Sequence, residues 1–297
     1  MQAFEYFIAT DSRHAVALLA QHAPARLLAG GTDLLPELKA SSHASKTVID
    51  ISRASDMHKI ELSERGLSIG ALVTHSEIMA APVICEMFPA LVNAAHSIGA
   101  VQTRNLGTIG GNLVTAVPSV DSGPTLIALD ALVTIVGPTG LRQMPLVDFF
   151  IAPRKTALKP DELLVEILIP KENLNKPAHF LKFGLRRGQA LALVNAAASL
   201  WLDPKKSTCT AARIVLGAVA PTVIRAVSAE KFLEGRSATP KNFAEAARLA
   251  VEDSHPISDM RASASYRKDL VAVLAKRALE AAYAQAKAAQ DNTGKRK

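Results

Sequence analysis

The chain has 297 residues, 49% of them apolar, 21% charged and 4% aromatic. That length argues for two or three packed units with a sizeable core, and the composition excludes a disordered or low-complexity protein for all but the extreme C-terminus. The net charge of +7 falls to +4 once Lys295, Arg296 and Lys297 are set aside, and the other basic residues stand mainly as isolated doublets with few aromatics to stack on bases, so nucleic acid is not an expected partner.

In chain order, Asp11 and Ser12 form a cap before Ala15, Leu18 and Leu19, which share one helix face. Apolar runs at 26–29 and 47–51 read as short strands of a compact α/β unit. The Gly30, Gly31 turn between them leads into a helix start at Thr32 and Asp33. A second block opens near residue 60. It carries predicted strands at 67–71 and 131–136, an alanine-rich helix at 88–98 that runs into another glycine segment, and a strand at 163–169 closed by Pro170. The polar stretch 171–177 is the linker that divides the chain. Beyond it the pattern predicts strands at 180–183, 192–201 and 213–219, then helices at 242–251 and 266–289, the last with Leu270, Val273, Leu274 and Leu279 on a buried stripe. The expected organisation is a first domain over 1–175, with subdomains of about 1–58 and 59–175, a second over 176–289, and a flexible tail at 290–297. The longest apolar stretch, 191–202, is interrupted by Asn195 and is shorter than the roughly 18 residues of a spanning helix. With no Lys-rich start leading into an apolar signal segment, a soluble, cytoplasmic protein without a membrane span is expected.

Neither G-x-G-x-x-G nor G-x-x-x-x-G-K-[ST] occurs, which disfavours the usual nucleotide folds. Two separate glycine turns do occur, at 29–33 and 107–112. Glycine leaves no Cβ between backbone amides and an anion, so two such loops facing each other can clamp a pyrophosphate, with the Thr32 and Thr108 hydroxyls as added donors. Taken singly, such turns are more often structural. Asp121, just past Pro118, either accepts hydrogen bonds from an imide or sugar or caps the turn before Ser122. Cys85 and Cys209 lack any C-x-x-C partner, exclude an iron–sulfur cluster held by this chain alone, and are expected to be buried thiols. His14, His22, His43, His75 and His96 show no metal-like spacing and read as surface or satisfied core residues. No metal ligand and no catalytic acid or base is assigned.

Five segments, LLAGGTDL at 27–34, RNLGTIGGN at 104–112, PSVD at 118–121, DELLVEILIP at 161–170 and SDMRASASYR at 258–267, together resemble the medium, FAD-binding subunits of the molybdenum hydroxylases, the family of xanthine dehydrogenase and aerobic carbon monoxide dehydrogenase. The resemblance covers essentially the whole chain. It implies an α+β protein: a two-subdomain FAD-binding domain of the PCMH type followed by a C-terminal α+β domain of the CO dehydrogenase flavoprotein type. By matching position, Leu27, Leu28, Ala29, Gly30, Gly31, Thr32, Asp33 and Leu34, with Thr108, Ile109, Gly110, Gly111 and Asn112, are implied to bind the diphosphate and ribityl region of FAD. Asp121 is implied to meet the polar edge of the isoalloxazine, and Ile98, Leu164, Lys182 and Leu191 to pack on or contact the ring. Without the resemblance, Leu164 and Leu191 read as core leucines. Ala190 stands where many relatives carry an acidic residue, and Leu191 where several carry an aromatic.

The resemblance further implies non-covalent FAD here, and a small [2Fe-2S] subunit and a large molybdopterin subunit as partners. Electrons would pass from the [2Fe-2S] clusters through FAD to a soluble acceptor. Residues 94–100 and 186–191 are expected to contribute to docking of the small subunit. The alternative reading is a self-sufficient FAD-dependent oxidase or reductase.

Overall fold

The computed structural model describes residues 3–40 and 47–294. The chain opens with β1 (Glu5–Ile8), α1 (Ser12–Gln21), β2 (Arg26–Leu28), α2 (Leu34–Ala40) and β3 (Thr47–Asp50). The strands form a parallel sheet in the order β1-β3-β2. Parallel neighbours need crossovers, which α1 and α2 supply. Asp11 caps α1, its Oδ1 accepting from the His14 amide at 2.8 Å, and Ala15, Val16, Leu18 and Leu19 form the buried face. Fully buried β3 is the centre of this small sheet.

Next come β4 (Ile60–Ser63), β5 (Gly66–Gly70), α3 (His75–Ala80), α4 (Pro82–Met87), α5 (Pro89–His96), α6 (Val101–Leu106), α7 (Ile109–Val114), α8 (Ser122–Ala128), β6 (Leu132–Gly137), β7 (Gly140–Pro145), α9 (Leu146–Phe149), β8 (Phe150–Ala152), β9 (Lys155–Thr156) and β10 (Leu163–Pro170). The helix expected over 88–98 is α5, and a separate short helix, α4, precedes it. Pro82 and Pro89 each stand at the first position of a separate helix, the place where a missing amide costs least. The main sheet is antiparallel in the order β4-β5-β10-β6-β7, so β10 fills the gap between β5 and β6. Helix α1 packs against β6 and β10, joining the two sheets in one hydrophobic core.

A turn of 3-10 helix at Lys171–Asn173 leads to the last unit, with β11 (Ala178–Gly184), β12 (Ala192–Leu202), β13 (Cys209–Gly217), β14 (Ile224–Arg225), α10 (Val227–Leu233), α11 (Pro240–Asp253) and α12 (Ala264–Gly294). Its sheet is antiparallel in the order β11-β12-β13-β14. β12 is buried on both faces, and its alternation shows why. Val194, Ala196, Ala198 and Leu200 face the core made with α11 and α12, while Ala197 joins the core of the preceding unit. The two polar residues of that second face are spent across the boundary: Asn195 Nδ2 donates to Val120 O at 3.1 Å and Ser199 Oγ to Ala128 O at 2.5 Å. α12 continues to Gly294, past the start expected for the tail, and Gln290 Nε2 donates to Leu202 O; residues 295–297, like His43, lie outside the described residues. No helix among the described residues is long and apolar enough to cross a membrane.

Candidate functional site

The two glycine turns lie side by side. The first leaves β2, passes Gly31 at φ +69° and enters α2. A Cβ built on Gly30 would stand 1.7 Å from Leu106 O, at the end of α6, so only glycine allows the first turn to rest on the approach to the second. Asp33 Oδ2 accepts from Thr115 Oγ1 at 3.3 Å, at the far end of α7. The amides of Gly30, Gly31, Thr32 and Asp33 donate to no other group among the described residues.

The second turn is built differently. Ile109 N donates to Val73 O (2.9 Å), Gly110 N to Ala71 O (2.9 Å), Gly111 N to Thr108 Oγ1 (3.0 Å) and Asn112 N to Thr108 O (3.0 Å), which leaves the Thr108 amide as the donor of 108–112 without a partner among the described residues. Gly110 is needed for packing, because its Cβ would meet Ala71 at 2.6 Å. Gly111 is open, with only Thr108 Oγ1 near the position of a Cβ. The two turns expected to clamp a pyrophosphate from both sides are thus built unequally. The first loop holds a row of free amides, whereas the second spends most of its amides on its own fold and offers a bare Cα. Asn112 Oδ1 accepts from Ser122 Oγ (2.6 Å), tying α7 to α8.

Beyond α7, Asp121 holds the N-cap position of α8 without capping it. Its carboxylate turns to the C-terminal sheet, where Lys182 Nζ lies 2.5 Å from Oδ2 and Asn195 Nδ2 lies 2.8 Å from Oδ1. Burial pushes the Asp121 carboxyl up from its ordinary range, and the Lys182 ammonium and the Asn195 amide pull the other way. Lys182 Nζ also donates to Ser97 O at 2.9 Å, next to buried Ile98. Asn195 Oδ1 is buried with no partner among the described residues. The structure therefore joins Asp121 and Lys182 directly, with Ile98 next in the chain to the carbonyl that Lys182 reaches. Leu191 is 57% exposed, on the 185–191 loop that Gln189 N fastens to Gly99 O. Leu164 is 2% exposed inside β10, opposite Ile135. Leu27 and Ala29 lean on the large core, and Leu28 and Leu34 pack with Leu38 and Val48.

Three expectations need correction. His75 is neither surface nor satisfied: it is 2% exposed, its Nδ1 has no partner among the described residues, and burial, helped by the Arg104 charge, lowers its pKa to about 4. The Thr74–Glu77 capping box that fixes it at the start of α3 was a readable signal. Cys85 is exposed, while Cys209 is buried with its thiol pushed up to about 11 by desolvation. Ala94 and Ala95 are buried on the inner face of α5, so they are not available to a docking partner. No group of three or more His, Cys, Asp or Glu among the described residues is placed to hold a metal ion.

Residues 2–172 match the family described as the FAD binding domain in molybdopterin dehydrogenase, and residues 179–282 match the CO dehydrogenase flavoprotein C-terminal domain. This chain belongs to the FAD-binding medium subunits of the molybdenum hydroxylase family. It is 32% identical to the 6-hydroxypseudooxynicotine dehydrogenase complex subunit alpha of Paenarthrobacter nicotinovorans, over 97% of each chain. It is also 32% identical to the xanthine dehydrogenase FAD-binding subunit of Escherichia coli O157:H7, covering 95% of this chain and 96% of that one. Among solved structures, carbon monoxide dehydrogenase from Hydrogenophaga pseudoflava superposes with a TM-score of 0.91 at 33% identity, over 96% of this chain and 98% of that one.

The residues present fit the cofactor of this FAD-binding family. A diphosphate is an anion that backbone amides bind without a counter-ion, and four consecutive unpaired amides at Gly30–Asp33, beside the free Thr108 amide and the bare Cα of Gly111, are a donor set of that kind. Asp121, Lys182 and Asn195 form a buried polar cluster of the kind that suits the polar edge of a ring.

Proposed function

We propose that this chain binds FAD non-covalently and serves as the electron-carrying subunit of a cytoplasmic, heteromeric molybdenum hydroxylase. A small partner would carry the [2Fe-2S] clusters, a large partner the molybdopterin cofactor and the organic substrate, and a soluble acceptor would take the electrons from this subunit. The observation that carries the reading is the row of unpaired amides at Gly30–Asp33 set against Thr108 and Gly111. Support for an assembly comes from relatives whose names describe a complex subunit and a medium chain.

In this reading the loops at 27–34 and 108–112 hold the diphosphate and ribityl region, Asp121 meets the polar ring edge, and Ile98, Lys182 and Leu191 flank the ring, with Leu164 backing the site from the core. Bound FAD supplies the redox chemistry. The chain's own work is to bind, orient and exclude water: Lys182 and Asn195 fix the Asp121 carboxylate, and the Ser97 carbonyl fixes Lys182. Leu185, Leu191 and Val101, all more than half exposed, supply the apolar face on which the cluster-bearing partner docks.

Reconstitution and copurification test this. The purified chain is expected to take up FAD and show a flavin spectrum releasable by denaturation, and the tagged chain to bring down molybdenum and iron–sulfur subunits from its host. A colourless protein after reconstitution would overturn the cofactor reading. A yellow protein recovered alone would overturn the assembly and favour a self-sufficient flavoenzyme.

A further inference from the structure

The segment at 258–267 has no role in the site so far, yet it contains a deeply buried cation. Arg267, 2% exposed at the start of α12, donates from Nη1 to Leu193 O (2.6 Å) and Ala218 O (3.3 Å), and from Nη2 to Asp259 Oδ1 (2.9 Å). Asp259 is organised to receive it. Its carboxylate also accepts from the Arg261 side chain and from the Arg261 and Ala262 amides, and these donors hold it far below the usual carboxylate range. Three acceptors in different directions suit the planar fork of arginine and not the single point of a lysine.

What Arg267 holds is strained. Ala218 sits at φ +63°, a conformation rare for a residue with a side chain and kept only where neighbours enforce it. Its carbonyl is bound by Arg267, and its amide donates to Pro118 O at 2.6 Å, across the boundary with the first domain. The preceding Gly217 lies so close to Asn195 that a Cβ there would be 2.1 Å from Asn195 Oδ1. Asn195 in turn holds Val120 O and the Asp121 carboxylate, and it lies two residues along β12 from Leu193, the other carbonyl bound by Arg267.

We infer that Arg267, braced by Asp259, is a positioning residue: it pins the 193 and 218 ends of β12 and β13 so that Ala218 and Asn195 grip the 118–121 turn and set the Asp121 carboxylate toward the ring site. The inference deepens the FAD reading above and rests on it for the role of Asp121.

The test uses the full chain with Arg267→Met, Arg267→Lys and Asp259→Asn, and Leu279→Ala as a control that opens a cavity in the same helix far along from the clamp. In the FAD-free chain, hydrogen exchange of the Ala218 amide should lose protection by about tenfold or more in Arg267→Met, the scale of a hydrogen bond to a charged group. Arg267→Lys should fall between Met and wild type. In the FAD-loaded chain, Arg267→Met should shift the flavin potential and its visible spectrum, and adding Ala218→Gly, which accepts the left-handed backbone without strain, should restore part of the shift. Leu279→Ala should lower the melting temperature with the potential unchanged. Wild-type Ala218 exchange and an unshifted potential in Arg267→Met would overturn the inference, and if that variant does not fold, the same result in Asp259→Asn would do so. A wild-type chain that takes up no FAD would sink the flavin reading instead, with Ala218 exchange then deciding whether Arg267 pins the turn.

Discussion

Asp121 stands at the head of α8 but gives its carboxylate to Lys182, 2.5 Å away on the C-terminal sheet. Both side chains are about nine-tenths buried, so each is the other's main compensation for leaving water. Lys182→Met leaves a buried carboxylate with only Asn195 and is expected to cost about 3–5 kcal/mol in chemical denaturation. Adding Asp121→Asn to Lys182→Met removes the stranded charge and should recover much of that loss. Additive costs in the double-mutant cycle would show that the two groups are not coupled.

The glycines of the two turns predict opposite outcomes. Gly30→Ala places a methyl 1.7 Å from Leu106 O and should abolish folding or FAD uptake altogether. Gly111→Ala meets only Thr108 Oγ1, at 3.0 Å, and lies in a helix, where alanine gains up to about 1 kcal/mol over glycine. Its melting temperature should hold or rise while FAD occupancy falls. Full occupancy in Gly111→Ala would show that this bare Cα does not face the cofactor.

His75 gives the fold an acid-sensitive step. Its pKa is 6.5 when unfolded and about 4 in the fold, so below about pH 6.5 the unfolded chain takes up a proton that the folded chain refuses. Stability therefore falls as the pH drops from about 6.5 to about 4, by roughly 3 kcal/mol from this group, and no further below that. His179, also lowered by burial, adds in the same direction. Denaturation at pH 7 and pH 5 should show a smaller difference in His75→Phe than in wild type; equal differences would remove His75 as the cause.

Leu185→Arg should leave FAD content unchanged, because the side chain is 66% exposed and is not among the residues assigned to the ring, and should weaken copurification of the iron–sulfur partner. An assembled complex of normal stoichiometry and flavin reduction rate in this variant would place the docking face elsewhere.

Local signals were legible and long-range ones were not. The Asp11 cap, the apolar run of β10 closed by Pro170 and the positions of both glycine turns depend on neighbours within a few residues, and each is readable from the sequence. The division of labour between the turns was hidden, because Gly110 is required by Ala71 and Gly30 by Leu106, contacts that only the folded chain creates. The Asp121 alternatives stayed open for the same reason: the residues that draw its side chain away from the helix cap are 61 and 74 positions distant. Asn195 was visible as an interruption in an apolar run, but an interruption shows only that something polar is buried, not what it meets.

The order β4-β5-β10-β6-β7 sets a timetable for synthesis. The strand that completes the main sheet is the last of its members to leave the ribosome, and it enters the middle. Until residue 170 has emerged, β5 and β6 have exposed edges and α7, which packs on β10, has no floor beneath the second glycine turn. A nascent chain stopped before β10 therefore has both glycine turns in its sequence and no support for the second, which can settle only when the strand that closes the sheet arrives.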